Sequence, residues 1–250
     1  CAAREGPTVK VFAATWTHAP QGAAAWRRAI ALYAVYAGAV VALLWPSAAT
    51  MAEQWVSSSS FHHAPFAAPL ALWLILRDRR AASAPRPAPA ALAAVAFIAS
   101  AWLAGRALGA NIIEHAALVG LLVAGVVLIF GARNARRWCF SLAALFFLVP
   151  FGVSLAPVLQ YIAATASAAL LSVAGFAPVR DGLVIATSGG AFEVAPSCSG
   201  LNFLLVSLMT SLAFAHAALD GWRRRLLFIA LAAAMAVAAN VLRVTLVIAA

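Results

Sequence analysis

Residues 197–250 read "SCSGLNFLLVSLMTSLAFAHAALDGWRRRLLFIALAAAMAVAANVLRVTLVIAA". Two apolar runs, 197–218 and 226–250, flank the polar step "DGWRRR" (220–225). At about 1.5 Å per helical residue, each run is long enough to cross a hydrocarbon layer of about 30 Å. A cluster of arginines between two such runs marks a short loop held on one side of a membrane. The whole chain obeys this grammar. It is 65% hydrophobic and 10% charged, with a mean hydropathy of +0.97, where a soluble domain carries about 25% charged residues. A lipid-facing barrel would need short alternating strands in series, and the long runs exclude it.

Working back from that stretch, residues 1–26 form a polar to mixed N-terminal segment. Arg27 and Arg28 precede the apolar run 29–45, and the stretch 46–63 holds no Lys or Arg. A shorter run, 64–76, ends at "RDRR" (77–80) and a Pro/Ala linker, 81–90. Further runs cover 90–104 and 116–131, the latter ending at "ARNARRW" (132–138). Another starts at Cys139 and meets Pro150 and Pro157, leaving 158–175 as a further span or an interfacial helix. The net charge of +10 resembles that of a nucleic-acid binder, but the arginines sit in loops between spans. The positive-inside rule explains them better, and no nucleic-acid partner is expected.

Four clusters hold most of the 17 basic residues: Arg27/Arg28, Arg77/Arg79/Arg80/Arg86, Arg133/Arg136/Arg137 and Arg223/Arg224/Arg225. Placing all four in the cytoplasm makes 46–63, 105–115 and 176–196 extracytoplasmic and requires 158–175 to lie in the interface or re-enter. Residues 179–194, "VRDGLVIATSGGAFEV", alternate and contain Gly-Gly, which reads as a β-hairpin outside the membrane. The expected fold is an all-α polytopic membrane protein: about seven to eight transmembrane or interfacial helices with a short extracytoplasmic hairpin. Its division is a cytoplasmic segment 1–26 and a membrane domain 27–250, with both ends reading as cut.

The last two runs carry the chemistry. From Gly221 back to Cys198 is roughly 34 Å of helix, and from Arg225 forward to Arg243 roughly 27 Å. Cys198 and Arg243 are thus expected at similar depth, near the outer surface, on adjacent antiparallel helices. An arginine within a span costs about 2.5–3.5 kcal/mol on insertion scales and usually marks function; the plainer reading is a snorkelling side chain. Pro196 predicts a helix beginning at "SCSG". A cysteine in that first turn would feel the helix dipole and a neighbouring guanidinium, both of which favour a thiolate, and free first-turn amides would form an oxyanion hole. Asn202, at i+4 from Cys198, either orients a bound carbonyl or packs between helices. Asn240, at i−3 from Arg243, shares its helical face.

The three cysteines, Cys1, Cys139 and Cys198, fit no metal or disulfide spacing, and no metal or cofactor is expected. Cys139 falls at the opposite, cytoplasmic end and reads as structural. His62 and His63 lie outside, at the rim of the second span, as a base, a substrate contact or an interfacial polar pair.

"VAPSCSGLNFLL" followed by "NVLRV" resembles the exosortase/archaeosortase family of membrane transpeptidases. "SSSSFHHAPFAAPLALWLI" (57–75), "LFFLVPFGVSLAPVLQYIAATASAALLSVAG" (145–175) and the hairpin are similar to the family too, so the likeness covers most of 50–250. The resemblance implies a multi-pass enzyme of a bacterial inner membrane whose active site faces the periplasm or outside. Its partners would be the bilayer and secreted, membrane-anchored proteins bearing C-terminal sorting signals: a motif such as Pro-Glu-Pro, a transmembrane helix and a basic tail. It matches Cys198 to the nucleophile and Arg243 to the catalytic arginine, and implies a third catalytic residue beyond Ala250. The other readings of such a chain are a transporter subunit or an accessory protein of polysaccharide export.

Overall fold

The computed structural model describes residues 23–79 and 82–250; most of the expected N-terminal segment, with Cys1 and Arg80, lies outside them. Helices α1 (Ala23–Leu43), α2 (Trp45–Ser57), α3 (Ala67–Asp78), α4 (Ala91–Leu108) and α5 (Asn111–Phe130) build the first half. Short helices α6 (Ala132–Arg137) and α7 (Cys139–Ala144) follow, then α8 (Ala156–Val173), strands β1 (Val179–Asp181), β2 (Val184–Thr187) and β3 (Gly190–Glu193), and helices α9 (Leu201–Ala218) and α10 (Trp222–Ala249). Among the described residues, six helices are long and apolar enough to cross a membrane.

The arginine clusters converge at one end. Trp26 packs its ring on Phe130 and Trp138, at centroid distances of 5.8 and 6.2 Å. The Ser83 amide donates to Asn134 Oδ1 at 3.0 Å. Arg77 donates to the carbonyl of Ala217 at 2.7 Å, and the Arg225 guanidinium lies 5.0 Å from the Phe140 ring centroid. Sequence-distant basic loops therefore form a single basic end, as one-sided retention of charge demands.

That arrangement leaves one crossing to explain. From Cys139 at the basic end the chain climbs through α7 and a 3₁₀ turn (Leu145–Leu148) until the Leu148 carbonyl accepts from Trp55 Nε1 at 2.7 Å. Pro150 and the left-handed Gly152 (φ 88°) break it there, since proline removes a helical donor and glycine tolerates positive φ. Helix α8 then continues away from the basic end beside α10: Ser167 Oγ donates to the Val241 carbonyl, and Leu171 joins a cluster with Val244 and Ile248. Residues 158–175 thus belong to a crossing, the first of the two readings of this stretch, rather than to a re-entrant or interfacial helix. The break closes the parity: α1 rises, α3 descends, α4 rises, α5 descends, α7 with α8 rises, α9 descends and α10 rises.

Two further differences are local. The stretch 46–63 is mostly helical, because Pro46 sits in the first turn of α2, where its missing N–H costs nothing. The expected hairpin is a three-stranded antiparallel meander in the order β1-β2-β3, since Gly182 turns the chain once more before β2.

Packing follows membrane rules. Val35, Phe97 and Leu231 face outward, where lipid solvates them. Hydrophobicity therefore does little to hold helix on helix, and small or polar side chains do it instead, at about 0.6 kcal/mol per hydrogen bond. Tyr36 donates to the Leu121 carbonyl at 2.9 Å, tying α1 to α5. Ser207 donates to the Ala232 carbonyl at 2.9 Å, tying α9 to α10. At the far end, Ser47 on α2 donates to Glu114 Oε2 at 2.5 Å and accepts from Trp102 Nε1 at 3.0 Å. Arg106 reaches the same carboxylate oxygen at 3.5 Å, and Thr50 meets His115 Nε2 at 3.0 Å. This network closes α2 over α4 and α5.

Candidate active site

Helices α9 and α10 pack antiparallel, so residues near the start of one face residues near the end of the other. Cys198, Arg243 and Glu193 line one cavity at the far end, floored by Phe192, Val244 and Ile248. The depth argument from the two apolar runs therefore holds. Arg243 is exposed to the cavity, with its guanidinium 5.7 Å from the centroid of the Phe203 ring on α9. A cation over an aromatic face is held at about 0.5–1 kcal/mol at exposed sites. The ring fixes the side chain without consuming its N–H donors. Sequence reasoning missed Phe203, although it lies five residues from Cys198 on the same apolar run.

The setting of the thiol differs from the expected helix start. Pro196–Cys198 form a 3₁₀ turn, and α9 begins only at Leu201, after Gly200 in a left-handed conformation (φ 82°). A side chain at Gly200 is excluded twice: by that φ, and because a Cβ would lie 2.5 Å from Asn240 Cγ. Asn240 is buried and donates through Nδ2 to the Cys198 carbonyl at 2.9 Å, clamping the turn onto α10. Its Oδ1 is buried without a partner among the described residues. Three of the amides in the region expected to form an oxyanion hole are engaged within the turn. The Cys198 amide donates to the Ala195 carbonyl, the Ser199 amide to the Pro196 carbonyl and the Leu201 amide to Ser199 Oγ. Arg243, exposed in the same cavity, is placed to meet a developing negative charge.

The intervening Gly200 also displaces Asn202. It is exposed and does not line the cavity, so helical i+4 spacing from Cys198 does not apply. Its neighbour is His63, whose other polar neighbour is the Ser60 backbone. Burial pushes the His63 imidazole below its ordinary value, and these two contacts oppose the shift; its Nδ1 is buried without a hydrogen-bond partner among the described residues. His62 is exposed and meets the Val56 carbonyl at 3.3 Å. The paired histidines thus separate, one toward α9 and one away. Cys139 is exposed at the basic end, far along the bundle from Cys198, rather than packed as a structural cysteine.

Such a cavity offers a sulfur nucleophile, a fixed guanidinium and a carboxylate-bearing strand at membrane depth, with an apolar floor. It suits attack on a carbonyl presented at the end of a membrane-spanning segment. Searches among curated proteins and among solved structures return no match. A family model described as transmembrane exosortase matches residues 55–250, a stretch that contains α3 to α10, the meander and every residue lining the cavity. The chain belongs to the transmembrane exosortase family.

Proposed function

We propose that the chain is a membrane-embedded cysteine protease and transpeptidase that removes C-terminal sorting signals from secreted, membrane-anchored proteins. The observation that carries this reading is the meeting of Cys198 and Arg243, 45 residues apart in sequence, in one cavity. The basic end belongs in the cytoplasm by the positive-inside rule. The cavity then opens at the outer face of the inner membrane, level with the juncture of a substrate held by one helix.

Cys198 Sγ attacks the scissile carbonyl carbon, and a C–S bond forms as the carbonyl oxygen takes the charge. Arg243 directs two N–H donors at that oxygen or at the thiolate, which a planar guanidinium can do from a single position. The C–N bond breaks, the proton lost by the thiol ends on the leaving amine, and a thioester remains on Cys198. An acceptor amine or water then attacks the thioester, expels the sulfur and returns a proton to it. Asn240 acts through Cys198 by holding its turn, so it is a positioning residue. His63 and Asn202 meet each other beside the head of α9.

Cys198→Ala is expected to abolish processing of a tail-bearing substrate while the protein stays in the membrane at normal level. Cys139→Ala is expected to process normally, because that thiol lies at the other end of the bundle. Equal loss in both variants would overturn the reading.

A further inference from the structure

The cavity has a wall that the chemistry above does not use. Strand β3 is an edge of the sheet, and its last residues, Phe192 and Glu193, with Val194 just after it, line the cavity that also holds Cys198 and Arg243. The β2–β3 register pairs Val184 with Glu193, Ile185 with Phe192 and Ala186 with Ala191. The Val194 amide donates to the Leu183 carbonyl at 2.9 Å, so Leu183 and Val194 form a hydrogen-bonded pair. In an antiparallel ladder hydrogen-bonded and non-hydrogen-bonded pairs alternate. Phe192 therefore bonds inward to β2, while Ala191 and Glu193 turn both N–H and C=O outward, to the free edge.

Those outward groups have no backbone partner among the described residues, and Ala191 and Glu193 are exposed. Exposed edges are normally blunted by charge, bulges or cover. This one is held rigid instead. Ile185 and Val194 are fully or almost fully buried against α8 and α10, and buried Gln160 donates to the Val194 carbonyl at 2.8 Å. The strand ends five residues before Cys198.

We propose that the cavity binds its substrate by strand addition. An extended segment of the substrate, next to the scissile bond, pairs in the plane of the sheet with the free edge of β3 through Ala191 and Glu193. This rests on the proteolytic reading and names how its substrate is recognised: through backbone, with every second residue bonded to the edge and its neighbours turned away. The edge then fixes the depth and direction in which the scissile carbonyl meets Cys198, with Arg243 lining the same cavity.

The test is a backbone scan. The probe is a synthetic peptide spanning the exported juncture of a tail-bearing secreted protein, with single amides replaced in turn by esters, which removes one N–H at a time. Binding is measured to the detergent-solubilised full chain carrying Cys198→Ala, and cleavage to the wild-type chain. Strand addition predicts a loss of about five- to tenfold in affinity at alternate positions and near-unchanged binding between them. Glu193→Pro, which deletes an outward donor and no ladder bond, is expected to weaken binding by a similar factor, with the thermal midpoint confirming that the variant is folded. A scan with no period of two, or unaltered binding by a folded Glu193→Pro variant, overturns the proposal. Alternating binding losses without any cleavage by the wild-type chain would support strand addition and sink the proteolytic reading.

Discussion

Two polar groupings sit at the far end of this bundle, and they are built to opposite plans. Around Glu114, the hydroxyl of Ser47, the indole of Trp102 and the guanidinium of Arg106 converge on each other until the buried carboxylate is satisfied. Around Cys198, the guanidinium of Arg243 has no acidic partner among the described residues and rests on an aromatic ring, and the neighbouring strand edge is unpaired. In a membrane every buried polar group must find a partner. The first grouping finds it within the chain and so stabilises; the second is exposed and leaves its valences open to a ligand. Polar residues at equal depth are thus told apart by what they already hold.

Arg243→Lys breaks this comparison most sharply. An ammonium can snorkel as well as a guanidinium but cannot direct two donors from one fixed plane. The variant is expected to lose about 100-fold in processing rate, in the range seen when one oxyanion donor is removed, with membrane level unchanged. Near-normal processing would make Arg243 an interfacial residue only. The opposite outcome is expected at the closed network. Glu114→Ala leaves Ser47 and Arg106 without their shared carboxylate acceptor and should cost about 1–3 kcal/mol of stability, read as a lower thermal midpoint. Processing per folded molecule should stay within about twofold.

The smallest effect concerns His63, at the boundary between the groupings. Its folded-state value is lowered by burial, so the unfolded chain binds the proton first as pH falls through about 6.5. Stability should therefore decline below that pH, by no more than about 1.4 kcal/mol per pH unit for one site. His63→Gln should flatten that decline, measured as thermal midpoint against pH between 7 and 5. An unchanged slope would mean that the imidazole is protonated alike in both states.

The crossings and their common basic end were legible in the sequence because charge and apolar length are local properties. The depth match of Cys198 and Arg243 was legible for the same reason: helical rise turns residue counts into distances. What sequence reasoning missed depends on geometry that no local pattern encodes. The break at Pro150 and Gly152 looked like the end of a span, because nothing nearby shows that α8 continues in the same direction beside α10. Pro196 pointed to a helix start, yet the close approach of Asn240 fits only a glycine at position 200 and delays α9 to Leu201. The 3₁₀ turn itself engages three of the amides in the region expected to form an oxyanion hole. Helix α2 was hidden because its polar face is satisfied by α4 and α5, which are distant in the sequence.

The central claim is that Cys198 is the atom to which substrate becomes joined. The most direct measurement is the mass of the protein trapped during turnover of a tail-bearing substrate in the absence of an amine acceptor, followed by peptide mapping. The account predicts a hydroxylamine-sensitive acyl adduct on Cys198, absent in Cys198→Ala and strongly diminished in Arg243→Lys. Continued processing with the adduct on another residue, or with no adduct while Cys198→Ala still cleaves, would contradict it.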